Sequence, residues 1–355
     1  MLKRGVEVTV RDDLTVREVL TRYAPRVMPL RGEPLGNRGG FSGAAIWRVV
    51  TAAGDFALRR WPRPGLPRER IAGLHQLLEH LRREGLTFVA VPLATSDGAT
   101  VTAVAGSLWQ LEPWLPGVAD FLARPSNERL CRAMAALAQW HRAAERFVPE
   151  ADAATWFFGR PAAPSPAILE RLAILTAVNA GKVAGVSRAL SGEMSGLASD
   201  SAIRDLARRV WSLFLRGRDV LSTELRLMRE TTFRVQPCLR DIWHDHVLFA
   251  GETVTGLIDP SACRVENVAA DLARLIGSLV EDDRPAWDFA LAEYQRYRPL
   301  TASELGLVTV LDRSGVLLSG WTWLEWLYVD RRSFPDAVSV TGRLTEIVRR
   351  MERLV

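Results

Sequence analysis

The feature that most constrains this chain is a pair of aspartates that flank a short predicted β-hairpin. Asp241 lies just before a predicted strand at residues 247–249, and Asp259 directly follows a second predicted strand at 254–258, with Gly251 at the turn. Runs of Val, Ile, Leu and Phe bounded by a glycine are typical of hairpin strands. Because the two ends of a hairpin meet on one side, we expect both carboxylates to lie over one cleft.

Two carboxylates in that arrangement suit the transfer of a phosphoryl group. The reaction needs one carboxylate that orients the attacking hydroxyl and accepts its proton, and it needs ligands that hold magnesium against the phosphate oxygens. Asp241 is predicted for the first role and Asp259 for the second.

Upstream, a glycine-rich turn leads into the apolar segment 45–50, and Gly54-Asp55 then turns the chain into a returning strand at 56–61. Glycines allow backbone N–H groups to approach phosphates closely, although many such runs are simple hairpin turns. The turn is more convincing as a phosphate site because the two aspartates follow it. Its candidate nucleotide-contacting residues are Gly39, Gly40, Phe41, Ser42 and Gly43.

At these residues the chain resembles the aminoglycoside phosphotransferase and choline kinase family, which has the protein-kinase fold. Members commonly read His-Gly-Asp, then four residues, then Asn, and later a strand that ends in Ile-Asp. Asp241 and Asp259 match this pattern, whereas Leu239 and Arg240 replace His-Gly and His246 replaces the Asn. The resemblance implies that ATP and Mg²⁺ are cofactors, with Asp259 and His246 as metal ligands.

The resemblance also implies roles for residues in the N-terminal part. Arg59 stands where the family has a phosphate-binding lysine, and Glu112 and Trp114 stand in the segment that contacts adenine. A surface ion pair is the open alternative for Arg59. The acidic partner usually supplied by the next helix is not identified: Glu69 and Glu79 are candidates, and His75 lies near the expected position.

His244 and His246 leave the identity of the bound metal open. Imidazole favours transition metals over magnesium, so a site that includes His246 is expected to accept Mn²⁺ better than Mg²⁺. His244 is predicted to be structural, although a zinc-like site of both histidines with the aspartates is an alternative. Asp271, at a predicted helix start, is expected to cap that helix.

The predicted fold class is α+β, a protein-kinase-like two-lobed fold with a small β-rich N-lobe and a larger, mainly helical C-lobe. Apolar residues at helical spacing predict a helix at 68–84, through Ile71, Leu74, Leu78 and Leu81, and two further short strands are expected at 89–94 and 100–111. Long helices are expected beyond residue 117, including much of 303–355. The Pro/Gly segment at 112–117 separates strands from long helices and is predicted to be the hinge. The predicted parts are an N-lobe at 1–111, the hinge at 112–117, a C-lobe at 118–355, a catalytic hairpin at 238–260 and a helical insertion at about 149–234.

Composition excludes several other classes of function. The chain has 355 residues, 48% of them hydrophobic and 25% charged, as in ordinary globular proteins. Its net charge of +5 is carried almost entirely by arginine, and no basic run with interleaved aromatics indicates nucleic acid. The three cysteines lack metal spacing, and no apolar run predicts a signal peptide or a membrane span. We expect a cytoplasmic protein with no membrane or nucleic-acid partner and an undetermined oligomeric state.

The leading hypothesis is therefore an ATP-dependent phosphotransferase that acts on a hydroxyl of a small molecule resembling an aminoglycoside, a sugar or an amino alcohol. The alternative from another class is a kinase-like nucleotide-binding or scaffold protein with weak or no catalysis, motivated by the changes at Arg59, Leu239, Arg240 and His246. Metal-dependent hydrolysis that uses both histidines is a third hypothesis.

Overall fold

The computed structural model describes residues 10–27, 29–36, 44–192, 200–332, 334 and 336–354. The chain divides into two compact units. Unit 1 comprises the residues up to Gly159 together with Asp241–Arg264, and unit 2 comprises Arg160–Arg240 and Val265–Val355. The predicted hinge at 112–117 lies inside unit 1, and the strands that follow Asp241 also belong to that unit.

The first half of the chain contributes most of unit 1. Its helices and strands are α1 (Val10–Leu20), β1 (Pro29–Gly36), β2 (Ala45–Thr51), β3 (Gly54–Arg60), α2 (Arg68–Arg83), β4 (Thr102–Val104), β5 (Ser107–Pro113), α3 (Asn127–Ala144) and α4 (Ala154–Phe157).

The second half begins within unit 2 and contributes one hairpin to unit 1. Its elements are β6 (Arg160–Pro164), α5 (Pro166–Ala177), α6 (Ala180–Ser191), α7 (Ser201–Leu227), β7 (Thr232–Cys238), β8 (Val247–Ala250), β9 (Thr253–Leu257), β10 (Arg264–Glu266), α8 (Ala269–Val280), α9 (Arg284–Gln295), α10 (Ala302–Leu324) and α11 (Ala337–Leu354).

Strands β1 to β5 form one antiparallel sheet in the order β1-β2-β3-β5-β4. Side chains alternate between the two faces of a strand, so Phe56 and Leu58 of β3 point to the same face as Leu111 of the neighbouring β5. These residues join Trp47 and Trp109 in a buried core that packs against α1. The opposite face of β3 and β5 carries polar residues, which form part of the candidate site.

Helix α2 confirms the predicted periodicity, because Ile71, Leu74, Leu78 and Leu81 are all buried. The expected strand at 89–94 is wrong. Val89 makes only an isolated bridge to β9. Pro92 has no N–H for a ladder, and proline disfavours regular pairing at such a position.

Unit 2 is mainly helical, with a three-stranded sheet in the order β10-β7-β6. Two of its long helices begin with side-chain caps: Asp200 accepts two backbone N–H groups at α7, and Thr301 forms a capping box with Glu304 at α10. A π-helical turn at Glu325–Val329 ends α10, so the predicted helical stretch at 303–355 is interrupted. The α+β class, with strands concentrated in the N-terminal part and helices in the C-terminal part, is confirmed. Among the described residues, none of the helices combines the length and the apolarity that crossing a membrane requires.

Candidate active site

The two aspartates flank the hairpin of β8 and β9, as predicted. A single 3₁₀ turn at His244–His246 leads from the Asp241 loop into β8, and Gly251 adopts a positive φ of 60° at the turn between the strands. Asp259 follows β9 in the left-handed region at φ 52°, ψ 61° and begins a second 3₁₀ turn. A non-glycine residue in that region is uncommon and often marks a functional position.

His246 joins the loop of Asp241 to the strand that leads to Asp259. One ring nitrogen, Nδ1, lies 2.8 Å from the backbone carbonyl oxygen of Asp241. The backbone carbonyl of His246 in turn accepts the N–H of Ile258 at 3.0 Å. Two hydrogen bonds through one buried residue therefore fix the backbone of Asp241 relative to the residue before Asp259.

The other ring nitrogen of His246 is also engaged. The indole N–H of Trp243 donates to Nε2 at 2.9 Å. Because an indole N–H only donates, Nε2 must carry the lone pair and Nδ1 must carry the hydrogen that is donated to Asp241. Both nitrogens are thus used, and a role of His246 as a metal ligand would require the bond to Trp243 to break.

Asp259 forms an ion pair with Arg59. Its Oδ1 lies 3.0 Å from Nη1 of Arg59, whose side chain is 7% exposed, while the side chain of Asp259 is 29% exposed. The alternative of a surface ion pair for Arg59 is therefore wrong, because the guanidinium is buried. β3 positions Arg59 on its polar face, whereas the next residue, Arg60, lies over the rings of Trp47 and Trp109 on the other face.

The electrostatics of this pair follow from burial and proximity. Burial alone would raise the pKa of Asp259, but the charge of Arg59 and hydrogen bonds from Ser261 and Arg59 lower it below its usual value. Burial alone would likewise lower the pKa of Arg59, and the carboxylates of Asp259 and Glu112 raise it. Both groups are consequently charged, with Asp259 as a carboxylate suited to a hard cation.

Of the other residues predicted to contact the nucleotide, the structure describes only those on and after β5. The glycine-rich turn predicted at residues 39–43 lies outside the described residues. Glu112 is on β5, paired with Ala57 of β3. Trp114 follows β5; its backbone N–H donates to the carbonyl of Asp55, and its ring lies under the guanidinium of Arg48 at 4.9 Å. The backbone N–H of Trp114 is therefore already used within the sheet.

His244, predicted to be structural, has Nδ1 at 2.9 Å from the carboxylate of Asp245, and its ring lies 4.6 Å from that of Trp243. These contacts lie within the same loop, next to His246.

The expected capping role of Asp271 is wrong. The residue is fully buried in the first turn of α8, and its carboxylate accepts the backbone N–H groups of Leu239 at 2.7 Å and Arg240 at 2.5 Å. The side chain that accepts an N–H in the first turn of α8 is that of Asn267, whose Oδ1 binds the N–H of Ala269 at 2.9 Å. Asp271 instead holds the two residues that precede Asp241, in a carboxylate-to-backbone bond that sequence spacing could not reveal.

Sequence reasoning also missed a polar network on β5 and α2. Gln110 accepts hydrogen bonds from Trp61 at 2.9 Å and His75 at 3.0 Å and donates to Glu112 at 2.6 Å. The available signal was the pair Gln110 and Glu112, two polar residues spaced by two on an otherwise apolar strand, which places both on one face.

Comparison with known proteins agrees with this geometry. The model of the Phosphotransferase enzyme family matches residues 35–305, which include Arg59, Asp241 and Asp259. The chain belongs to this family. The predicted phosphotransferase class and its resemblance to aminoglycoside phosphotransferases are thereby confirmed.

The relatives include one curated protein over nearly the whole length. A homoserine kinase of Chelativorans sp. (strain BNC1) is 26% identical over 327 residues, which cover 88% of this chain and 87% of that protein. Among solved structures, a spectinomycin phosphotransferase in complex with ADP and spectinomycin has a TM-score of 0.70 at 11% identity, covering 96% of this chain and 98% of that one. An amicoumacin kinase in complex with AMP-PNP and Ca²⁺ has a TM-score of 0.66 at 13% identity, covering 97% of each chain. These structures confirm the protein-kinase-like fold.

Proposed function

We propose that this protein is an ATP-dependent kinase that phosphorylates a hydroxyl of a small molecule. Asp241 orients the acceptor hydroxyl and accepts its proton, and Arg59 contacts the phosphates of ATP. The observation that carries the proposal is the joint placement of Asp241 and Asp259, whose backbones are linked through His246. A protein without phosphoryl transfer has no physical need for that arrangement beside a buried arginine.

The residues fit a divalent cation at Asp259. Its lowered pKa keeps the carboxylate charged, and hard cations such as Mg²⁺ prefer oxygen ligands. Bound with ATP, the cation would supply neutralisation of the phosphate charge. His246 fits this role poorly because both of its ring nitrogens are engaged. We therefore assign His246 to positioning the loop.

That assignment is tested by the ratio of turnover rates with Mg²⁺ and Mn²⁺. The ratio is expected to be the same, within about twofold, in the wild type and in His246→Leu, because the change removes both ring nitrogens and adds no oxygen that could bind the cation. A clear shift toward Mg²⁺ in the variant would restore His246 as a ligand, since affinity for nitrogen-containing sites rises along the transition series.

For the nucleotide, we propose that Gly39 to Gly43 cover the phosphates and that the segment from Glu112 to Leu115 receives adenine. The hydrogen bond from Trp114 to Asp55 leaves the ring of Trp114, rather than its N–H, for that contact. Gly40→Val is expected to weaken ATP binding because a branched side chain blocks close backbone approach. Unchanged affinity for ATP, measured by calorimetry, would remove the turn from the site.

For the acceptor, we propose a small amine-bearing alcohol, such as the hydroxy amino acid homoserine, ahead of a sugar or an aminoglycoside. The support is the homoserine kinase that is similar over most of both chains. We further propose that the helical stretch at 149–234, which includes α5 to α7, selects the acceptor.

The deciding experiment measures ATP consumption with homoserine, ethanolamine, a hexose and an aminoglycoside. Asp241→Asn is expected to lower turnover by about 10² to 10⁴, the usual contribution of a positioned base. Asp245→Asn, in the same loop, is the matched control and should retain turnover within about threefold. Full activity of Asp241→Asn would remove Asp241 from the mechanism.

The kinase-like scaffold remains the second candidate, and the engaged nitrogens of His246 are the observation that favours it. The two functions differ in a simple measurement. Thermal stabilisation by ATP with Mg²⁺, without consumption of ATP on any acceptor, would support the scaffold.

A further inference from the structure

One face of the β3–β5 pair collects the charges around Arg59. Arg59 lies opposite Gln110 and Ala57 lies opposite Glu112, and residues two apart on a strand share a face. Arg59 and Glu112 are therefore diagonal neighbours. A buried guanidinium needs counter-charges, and Glu112 acts on Arg59 together with Asp259.

Gln110 fixes the orientation of Glu112. The amide oxygen of Gln110 accepts from the indole of Trp61 and from Nε2 of His75, so its NH₂ group must face Glu112, to which it donates at 2.6 Å. His75 in turn accepts the hydroxyl of Thr100 on Nδ1 at 2.8 Å. Each donor in this series of hydrogen bonds meets an acceptor. This pattern specifies the neutral Nε2–H tautomer of His75.

His75 occupies the position on α2 where the sequence left an acidic partner for Arg59 open. Burial, followed by the nearby charge of Arg59, lowers the pKa of His75 to about 4, against a bond from Gln110 that raises it. The other two candidates, Glu69 and Glu79, are exposed. Among the described residues, no hydrogen bond or ion pair joins Arg59 to either of them. Helix α2 thus presents a neutral group where a carboxylate was expected.

We infer that Glu112, held by Gln110 and His75, is the second counter-charge of Arg59, so that strand β5 rather than helix α2 positions the phosphate-binding cation. The inference rests on the proposed nucleotide site at Arg59. Its physical consequence concerns Asp259. Because Glu112 stays beside Arg59, Asp259 can exchange its bond to Arg59 for a metal cation without leaving a buried guanidinium alone.

The pKa of Glu112 is raised, as expected of a buried carboxylate that shares the guanidinium of Arg59 with Asp259. Burial raises it most, the charge of Arg59 and the bond from Gln110 lower it, and the nearby carboxylate of Asp259 raises it further. Two carboxylates that share one cation repel each other, and that repulsion favours the departure of Asp259 toward a cation of its own.

The test measures the Kd for ATP with Mg²⁺ by calorimetry, together with kcat and KM. Glu112→Gln keeps the shape and removes the charge, so Arg59 should bind Asp259 more tightly; we expect the Kd and the KM for ATP to rise about tenfold, with kcat changed less than about threefold. Gln110→Leu should raise the Kd in the same direction by about threefold. Glu79→Gln, an equal change of charge on the exposed face of α2, should leave the Kd unchanged.

A double-mutant cycle separates positioning from a general structural effect. In an Arg59→Met background, Glu112→Gln should alter the Kd less than about twofold, because the charge on which it acts is gone. Arg60→Met serves as the matched background, in which the full effect of Glu112→Gln should persist.

An unchanged Kd in Glu112→Gln, or an equal effect in both backgrounds, would overturn the inference. Failure of the wild type to bind ATP would instead overturn the proposed nucleotide site, and the inference with it.

Discussion

Asp259 and Asp271 lie twelve residues apart and have opposite surroundings. Asp271 is fully buried, and both carboxylate oxygens accept backbone N–H groups from the segment before Asp241. Asp259 is partly exposed, and its partners are the side chains of Arg59 and Ser261. A backbone partner cannot leave without local unfolding, whereas a side chain can move to another rotamer. Asp271 therefore belongs to the fold, and Asp259 can take part in chemistry.

The largest expected effect that tests this contrast is on activity. Asp259→Asn should lower ATP turnover about a thousandfold, because an amide neither neutralises Arg59 nor binds Mg²⁺ well. The free energy of unfolding should fall by only about 1 to 2 kcal/mol, since Glu112 remains as a counter-charge. Parallel kinetic assays and urea titrations measure both quantities. Retained turnover in a strongly destabilised variant would reverse the roles of the two aspartates.

Asp271→Asn should show the complementary pattern, with stability as the primary loss. The amide retains one acceptor oxygen and places an NH₂ group against a backbone donor, so we expect a loss of about 3 kcal/mol in urea unfolding. Asp283→Asn is a suitable control, because Asp283 is an exposed cap of α9 and accepts a single N–H from Ala286. Equal losses of unfolding free energy in both variants would show that burial does not make the hydrogen bonds of Asp271 more stabilising than those of an exposed cap.

The hydrogen-bond network of Gln110 and His75 should make the free energy of unfolding depend on pH. The pKa of His75 falls from 6.5 in the unfolded chain to about 4 in the fold, so below pH 6.5 the unfolded state binds a proton that the folded state rejects. Stability contributed by His75 is present above pH 6.5 and is lost as the pH falls toward 4. Between pH 7 and pH 5 the loss should be about 2 kcal/mol.

The loss in stability should largely disappear in His75→Gln, which keeps polar atoms but cannot titrate. Urea midpoints at both pH values for the two proteins measure the difference. The same loss of stability between pH 7 and pH 5 in both proteins would mean that His75 also takes up a proton in the folded state. The assignment of a neutral His75 would then be wrong.

The smallest expected effect concerns the segment that Asp271 holds. Arg240 adopts a left-handed φ of 64° and pairs with Glu170, whose side chain is 41% exposed. Arg240→Gly would relieve about 1 kcal/mol of backbone strain but lose a bidentate ion pair of about the same worth, so the free energy of unfolding should change by less than about 1 kcal/mol. Arg240→Ala, which loses the pair without relieving the strain, is the control and should be less stable than Arg240→Gly.

The sequence predicted well those features that depend on local pattern. Apolar spacing predicted α2, and alternation with Gly251 predicted the strands around it, because these signals come from neighbouring residues. The family motif predicted that Asp241 and Asp259 flank this hairpin, and their roles stay a prediction. The roles of Asp271 and His246 depended instead on which polar group lies within hydrogen-bonding distance, and such contacts are made between segments that spacing does not connect.

Arg59 illustrates the same limit. Its charge was evident from the sequence, but its burial was not, because Arg59 and Arg60 are chemically identical neighbours on β3. Only the register with β5, which pairs Arg59 with Gln110, decides which arginine faces Asp259. Gln110 and His75 were missed for this reason, since their importance follows from that register.

The way Asp271 holds Leu239 and Arg240 has a consequence for how this family can diverge. The carboxylate binds main-chain N–H groups, which every residue except proline provides. Substitution of the side chains in this segment therefore leaves its anchor intact, and the usual His-Gly can drift to Leu-Arg while the path of the chain into Asp241 is kept. In this chain, the path into Asp241 is therefore set by a buried acid on α8 and not by the side chains of the two residues that precede Asp241.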